Sequence, residues 1–174
     1  MNHTDHVNLI RGGVVPGIWA DFGSGGGAFT LALADLLGDE GAIYSIDRDT
    51  HALNEQRDAM RTHFPGSTVR YLTADFTKPV DLPPLDGIVM ANSLHFVRQK
   101  EPVLRQIYGY LKPAGRLVMV EYNVDSGNMW VPHPFSFETW QTLAARNGFG
   151  DTRKIGARPS RNLREIYSAL SIRL

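Results

Sequence analysis

Short apolar runs alternate with helical stretches along this chain, and this alternation limits the fold more than any other feature of the sequence. The runs have the length and composition of buried strands and lie at residues 18–22, 42–46, 68–72, 85–91 and 116–121. Helical spacing of apolar residues marks residues 28–37, 50–64 and 101–111, and Thr50 is expected to cap the second of these helices. This order predicts an α/β fold in which helices cover both faces of a parallel sheet.

The C-terminal part of the chain departs from this alternation. After the fifth strand, the sequence predicts a loop over residues 122–135 and a helix over residues 137–146. Residues 152–157 remain unassigned, and for residues 166–172 a strand and a helix fit almost equally well. At 174 residues, the chain 1–174 is predicted to form a single domain that begins with a short N-terminal segment, residues 1–17.

The composition excludes several functional classes. The 18 basic and 18 acidic residues cancel, so no overall charge draws the chain to nucleic acid or to a membrane. There is no cysteine, which excludes disulfides, thiolate catalysis and cysteine-bound metals. The six histidines are scattered, so we predict no metal site. No apolar run reaches the ~18 residues of a membrane span, and no secretory signal is evident, so we expect a cytoplasmic protein.

A glycine-rich turn between the first strand and the first helix is the best candidate for a binding site. Residues 23–28 satisfy the GxGxxA pattern of dinucleotide-binding loops, and the acidic Asp47 lies about 20 residues further on. Residues 21–27 equally fit the loop of S-adenosylmethionine-dependent methyltransferases. Asp21 favours the second class, because a carboxylate repels a pyrophosphate but attracts the ammonium and sulfonium groups of S-adenosylmethionine.

Two further acids each follow a predicted strand. Asp47 comes after the second strand, where its carboxylate can accept hydrogen bonds from the two hydroxyls of a ribose. Asp75 comes after the third strand, where it can accept a hydrogen bond from the exocyclic amine of adenine. Ligands of parallel sheets bind beyond the carboxyl ends of the strands, so both acids are expected at the site of the glycine turn.

Five segments together resemble class I, seven-stranded S-adenosylmethionine-dependent methyltransferases of the small-molecule type: residues 20–27, 43–48, 73–76, 86–96 and 111–117. The resemblance implies a doubly wound, mostly parallel, Rossmann-like sheet that ends in an antiparallel hairpin, which makes residues 166–172 a strand. It implies S-adenosylmethionine as cofactor and S-adenosylhomocysteine as product. The cofactor-binding residues that it implies are Asp21, Phe22, Gly23, Ser24, Gly25, Gly27, Asp47, Arg48, Asp75, Phe76, Asn92 and Leu94.

Two departures from the family pattern bear on the acceptor. Only about 17 residues precede the first strand, too few for the full helical cap of small-molecule methyltransferases. The site is therefore expected to be open, closed by loop 122–135, or closed by a second subunit of a homodimer. Residues 92–95 also lack the Asn/Asp-Pro-Pro-aromatic signature of methyltransferases that act on amides and exocyclic amines.

His95 is the candidate catalytic base, because it follows the fourth strand and imidazole titrates near neutral pH. The alternative is a histidine that only packs beneath the rim. In the family, the loop after strand five borders the acceptor pocket, so Tyr122, Trp130 and His133 are substrate-side candidates. The alternative for this loop is packing of its own hydrophobic residues, with His133 as a turn residue.

These observations favour a methyltransferase that acts on a small, aromatic or apolar acceptor at oxygen, nitrogen or carbon. The first alternative is methylation of RNA or protein through an open site, supported by the basic residues Arg153, Lys154, Arg158, Arg161 and Arg164. Further alternatives are a nicotinamide- or nucleotide-binding Rossmann module and a non-catalytic S-adenosylmethionine binder. No membrane partner is expected, and nucleic acid is expected only under the first alternative.

Overall fold

A computed structural model describes residues 1–160 and 163–174, and seven strands of this described part form one sheet. The strands are β1 Ile18–Phe22, β2 Ala42–Asp47, β3 Thr68–Thr73, β4 Leu85–Ala91, β5 Leu111–Tyr122, β6 Phe149–Pro159 and β7 Glu165–Arg173. Their order across the sheet is β3-β2-β1-β4-β5-β7-β6. The first five strands pair in parallel, and β7 is antiparallel to both β5 and β6. The predicted parallel sheet with a C-terminal antiparallel hairpin is confirmed.

Helices cover both faces of this sheet. They are α1 His3–Ile10, α2 Ala28–Leu37, α3 Thr50–His63, α4 Glu101–Tyr110 and α5 Phe137–Arg146. One apolar core packs α4 and α5 against the sheet, and a second core packs α1, α2 and α3 against its other face. Among residues 1–160 and 163–174, no helix has both the length and the apolar character needed to cross a membrane.

The N-terminal segment contains a helix, α1, that the sequence did not predict. Asn2 caps it in a reciprocal arrangement: its side chain accepts a hydrogen bond from the Asp5 amide at 2.9 Å, and the Asp5 carboxylate accepts one from the Asn2 amide at 3.1 Å. Val7, Leu9 and Ile10 are buried against the sheet. Eight residues are too few for a stable helix on their own, so tertiary packing decides this element.

The cap of α3 also differs from the prediction. The N-cap residue is Asp49, one position before Thr50. Asp49 Oδ1 accepts hydrogen bonds from the backbone amides of His51 at 2.9 Å and Ala52 at 3.2 Å. Aspartate and threonine are both good caps, so the position cannot be chosen by residue type alone.

Candidate active site

A cavity of about 970 Å³ lies at the carboxyl ends of the central parallel strands. Its walls are the glycine turn after β1, the acids after β2 and β3, the residues after β4, and parts of α1 and α2. Eight of the predicted cofactor residues line it: Gly23, Ser24, Gly25, Asp47, Arg48, Asp75, Phe76 and Asn92. The strand order reverses between β1 and β4, so this is the switch point at which ligands of such sheets bind.

The backbone of the glycine turn lies close to Ser93 on one side and faces open space on the other. Gly23 has φ +76°, and a Cβ added there would lie 2.6 Å from Ser93 Cβ. Gly25 has φ +50°, and a Cβ added at Gly25 or Gly26 would meet no atom within 4 Å. Only glycine tolerates this backbone at little cost, and its lack of a side chain keeps the turn open to a ligand.

Two acids line the cavity on the side of β2 and β3. Asp47 Oδ2 accepts a hydrogen bond from the Gly25 amide at 2.7 Å, and Oδ1 accepts one from the Asp49 amide at 2.9 Å. Asp75 Oδ1 accepts from the Thr77 amide at 2.9 Å and from the Thr77 hydroxyl at 2.7 Å. These bonds lower the pKa of Asp75, so it is ionised at neutral pH. A carboxylate oxygen accepts more than one bond, so both acids keep capacity for a ligand.

Asp21 lies behind the turn and does not line the cavity. It is 1% exposed, and its Oδ2 accepts a hydrogen bond from the Thr30 hydroxyl of α2 at 2.8 Å. Burial raises the pKa of Asp21 to about 7. The structure thus places this carboxyl between β1 and α2, away from the cavity surface. Three other predicted residues, Phe22, Gly27 and Leu94, also lie outside the cavity lining.

Asn92 provides a polar atom without a partner at the wall of the cavity. It follows β4 with φ +51°, and its backbone amide donates to the Val120 carbonyl at 2.9 Å. Its side-chain Oδ1 is buried and has no hydrogen-bond partner in the described part of the chain. A buried acceptor of this kind favours a ligand that brings an N–H or O–H donor.

His95 and Glu121 form a buried pair beside the cavity. His95 lies in the short 3-10 turn after β4, and Glu121 lies near the end of the adjacent strand β5. The imidazole Nδ1 is 2.9 Å from Glu121 Oε1 and 3.0 Å from Oε2, and the two side chains are 3% and 0% exposed. A carboxylate at Nδ1 holds the ring proton there and leaves a lone pair on Nε2.

Lys100 adds a positive charge to this buried region. Its ammonium donates to the Val97 carbonyl at 2.8 Å and lies 5.2 Å from the centroid of the Phe135 ring. Burial lowers the pKa of Lys100, while the charge of Glu121 acts in the opposite direction. The cation therefore offsets part of the cost of burying the Glu121 carboxylate.

The three substrate-side candidates lie outside the cavity lining, and two of them, Tyr122 and His133, contact His95. The Tyr122 ring centroid is 6.0 Å from that of His95, and the His133 amide donates to the His95 carbonyl at 3.0 Å. Trp130 is 80% exposed. Loop 122–135 is thus tied to the His95 turn through its backbone, and the substrate-side roles stay predictions.

Sequence reasoning missed several residues of this site. Glu121 lies near the end of the mostly apolar strand β5, and its neighbour β4 leads into the turn with His95, so this position was a usable signal. Met1, His3 and His6 line the cavity from the N-terminal segment, whose helix α1 was not predicted. Of the basic residues considered for RNA, Arg153, Lys154 and Arg158 pair with Asp151, Glu165 and Asp5, while Arg161 lies outside the described residues.

Residues 20–117 match a protein family described as a methyltransferase domain. A ubiquinone/menaquinone biosynthesis C-methyltransferase of Azotobacter vinelandii is 31% identical over 122 residues, which are 67% of this chain and 48% of that protein. The chain therefore spans about half the length of this curated relative.

Solved structures share the fold at low sequence identity. An Aquifex aeolicus SAM-dependent methyltransferase superimposes with a TM-score of 0.76 at 18% identity, over 98% of this chain and 90% of that one. Human N-acetylserotonin methyltransferase, solved in complex with SAM, gives a TM-score of 0.70 at 19% identity, over 99% of this chain and 52% of that one.

Proposed function

Because the chain belongs to the class I S-adenosylmethionine-dependent methyltransferase family, we propose that it methylates a small, apolar or aromatic acceptor that must lose a proton in the reaction. The observation that carries the proposal is the buried His95–Glu121 pair beside the cavity. The cofactor of the family is S-adenosylmethionine. The experiment below therefore tests the class of the methyl acceptor.

The residues around the cavity fit S-adenosylmethionine. Open space above Gly25 and Gly26 lets a ligand approach the backbone, and the unpartnered Asn92 Oδ1 suits a donor group on that ligand. Asp47 is the residue to hold the ribose hydroxyls, and Asp75 the residue to hold the adenine amine. The cavity lining contains several acceptor oxygens and few cations. Such a lining suits a ligand with ammonium and sulfonium groups better than one with a pyrophosphate.

S-adenosylmethionine, when bound, supplies an electrophilic methyl group on a sulfonium centre. The chain has to orient the acceptor, exclude water and remove the acceptor's proton. In our proposal His95 Nε2 accepts that proton. Glu121 keeps the other ring proton on Nδ1 and stabilises the imidazolium that results. The acceptor thereby gains a methyl group and loses a proton to His95.

Phe96 packs against His95 and lines the cavity, whereas His95 itself does not line it. The ring centroids of Phe96 and His95 are 4.3 Å apart. Because Phe96 is 63% exposed, its side chain can rotate at little cost in core packing. We propose that an apolar acceptor packs against Phe96 and displaces its ring enough to reach Nε2.

A buried base restricts the class of acceptor. An aromatic amine is neutral at pH 7, attacks through its own lone pair and needs no base before the methyl group is transferred. An acidic C–H or O–H bond must lose its proton at or before that step. The Azotobacter vinelandii relative is described as a C-methyltransferase, which supports carbon as the acceptor atom within this class.

The test is an acceptor screen with S-adenosylmethionine in which S-adenosylhomocysteine formation is measured by chromatography. The panel contains 1,3-dicarbonyl compounds, phenols, anilines and a structured RNA. We expect turnover with the dicarbonyl or phenol compounds. H95Q and E121Q should lower that turnover by about 10²–10⁴-fold and leave S-adenosylhomocysteine binding unchanged.

H63Q serves as the matched control, since His63 is an exposed histidine at the end of α3. It should retain the wild-type rate. Turnover with amines or RNA alone, or full activity of H95Q, would contradict the proposal.

A further inference from the structure

A buried polar cluster lies directly beneath the glycine turn and shares Ser24 with the lining of the cavity. It consists of Ser24 in the turn, Ser45 on β2 and Gln56 on α3, which are 9%, 0% and 0% exposed. Ser45 Oγ is 2.8 Å from both Ser24 Oγ and Gln56 Oε1. Gln56 Nε2 donates to Ser24 Oγ at 3.0 Å, which closes a ring of three side chains.

The same amide nitrogen of Gln56 also reaches the backbone of the turn. Nε2 donates to the Gly25 carbonyl at 2.9 Å, while the Gly25 amide donates to Asp47 Oδ2 at 2.7 Å. Residue Gly25 is therefore held at its carbonyl by α3 and at its amide by the end of β2. Gly27 packs on the same side chain, since a Cβ there would lie 2.6 Å from Gln56 Cβ.

A buried glutamine is costly unless its donors and acceptor are satisfied. Here Gln56 Oε1 and Nε2 both have partners, and two of these partners belong to the turn itself. The glycines of the turn would otherwise lose more backbone freedom on ordering than any other residue. A side chain that fixes the turn in advance removes that cost from ligand binding.

We infer that Gln56 is a positioning residue that holds the glycine turn in its cofactor-binding conformation before the cofactor arrives. The inference rests on the proposed placement of S-adenosylmethionine at this turn. It assigns Gln56 no contact with the cofactor. Without Gln56, binding of the ligand would have to order the turn. Each residue ordered in this way should raise the Kd about tenfold.

The experiment compares S-adenosylhomocysteine binding by calorimetry in the wild-type chain, Q56L and S45A, with hydrogen–deuterium exchange over residues 22–27 as a second readout. Q56L should bind about tenfold or more weakly, and the amides of the turn should exchange faster. S45A removes one hydroxyl and keeps the bond from Gln56 to the Gly25 carbonyl. It should therefore weaken binding less than Q56L does, by about two- to fivefold.

Q141L is the matched control, because Gln141 on α5 also donates to a backbone carbonyl, that of Thr152, far along the chain from the turn. It should bind as the wild type does. Wild-type affinity and exchange in Q56L would overturn the inference and leave the cofactor site standing. If Q56L does not fold, S45A decides: weaker binding with faster exchange of the turn supports the inference, and unchanged values overturn it. A wild-type chain that does not bind S-adenosylhomocysteine would contradict the proposed function itself.

Discussion

Asp21 is a residue whose protonation near neutral pH depends on the fold. Its carboxyl is buried between β1 and α2, and burial raises its pKa from 3.8 to about 7. The folded chain therefore keeps the proton at pH values where the unfolded chain releases it. Between about pH 4 and pH 7, rising pH favours the unfolded state, because that state binds fewer protons there.

The change D21N should remove this dependence. The total loss of stability from Asp21 between about pH 4 and pH 7 is about 4 kcal/mol, since each pKa unit corresponds to ~1.4 kcal/mol. Relative to the wild type, D21N should therefore gain roughly 2–3 kcal/mol in unfolding free energy from pH 5 to pH 8, measured by urea titration. Asparagine retains an oxygen for the Thr30 hydroxyl. A constant difference between the two proteins at both pH values would show that Asp21 is not buried as described.

The aspartates show what residue type and position can predict. Asp21, Asp47 and Asp75 were all singled out because they follow or end strands, and Asp47 and Asp75 do line the cavity. Asp21 lies inside the sheet-helix interface because its position within β1 turns its side chain toward α2. Successive side chains of a strand point to opposite faces of the sheet. A shift of one position along the strand is therefore enough to move a side chain from the cavity into the core.

Among the helices and strands, α1 is the element at the site that was not predicted from the sequence. Its inner face packs against α2 and the sheet, while Met1, His3 and His6 line the cavity. His3 Nε2 lies 3.0 Å from Asp35 Oδ2 of α2, and the His6 ring lies edge-on to Phe29 at 5.0 Å. The segment that was expected to be too short for a full helical cap thus lines part of the cavity.

Packing, rather than helix propensity, should hold α1 in place. Ile10 is fully buried, so I10A should lower the unfolding free energy by about 2–5 kcal/mol. The exposed neighbour Arg11 gives the control, and R11A should change it by less than about 0.5 kcal/mol. Chemical denaturation of both variants measures the difference. If I10A is as stable as R11A, α1 does not pack as described.

The strands β1 to β4 and the helices α2 to α5 were predictable within a few residues because each has a clear apolar period. The strands β6 and β7 were not, since neither has an apolar period that excludes the alternatives. The helices α2 and α5 begin and end where the sequence predicts, and β4 does as well. The strand β5 is longer than predicted and begins at Leu111, because its first residues pair only with the start of β4 and lack a continuous apolar pattern. The spacing of apolar residues marks only the buried face of a strand, so it does not predict strand ends that are polar.

In the molecule as a whole, the order of the strands in the sheet determines where the cavity lies. The carboxyl ends of the central strands meet at one edge, which brings together residues from Gly23 to Val97 that are distant in the sequence. The sequence predicted the strand ends, and eight of the twelve residues predicted to bind the cofactor line the cavity. It did not predict the pairing of His95 with Glu121 or of Ser24 with Gln56, because such contacts depend on side-chain placement between elements.

The most direct test of the central claim is calorimetric titration of the wild-type chain with S-adenosylhomocysteine, with NAD as a parallel titration. We expect binding in the micromolar range for S-adenosylhomocysteine and none for NAD, because the Asp47 carboxylate beside the turn repels a pyrophosphate. Binding of NAD without binding of S-adenosylhomocysteine would contradict the account and would make the chain a dinucleotide-binding module.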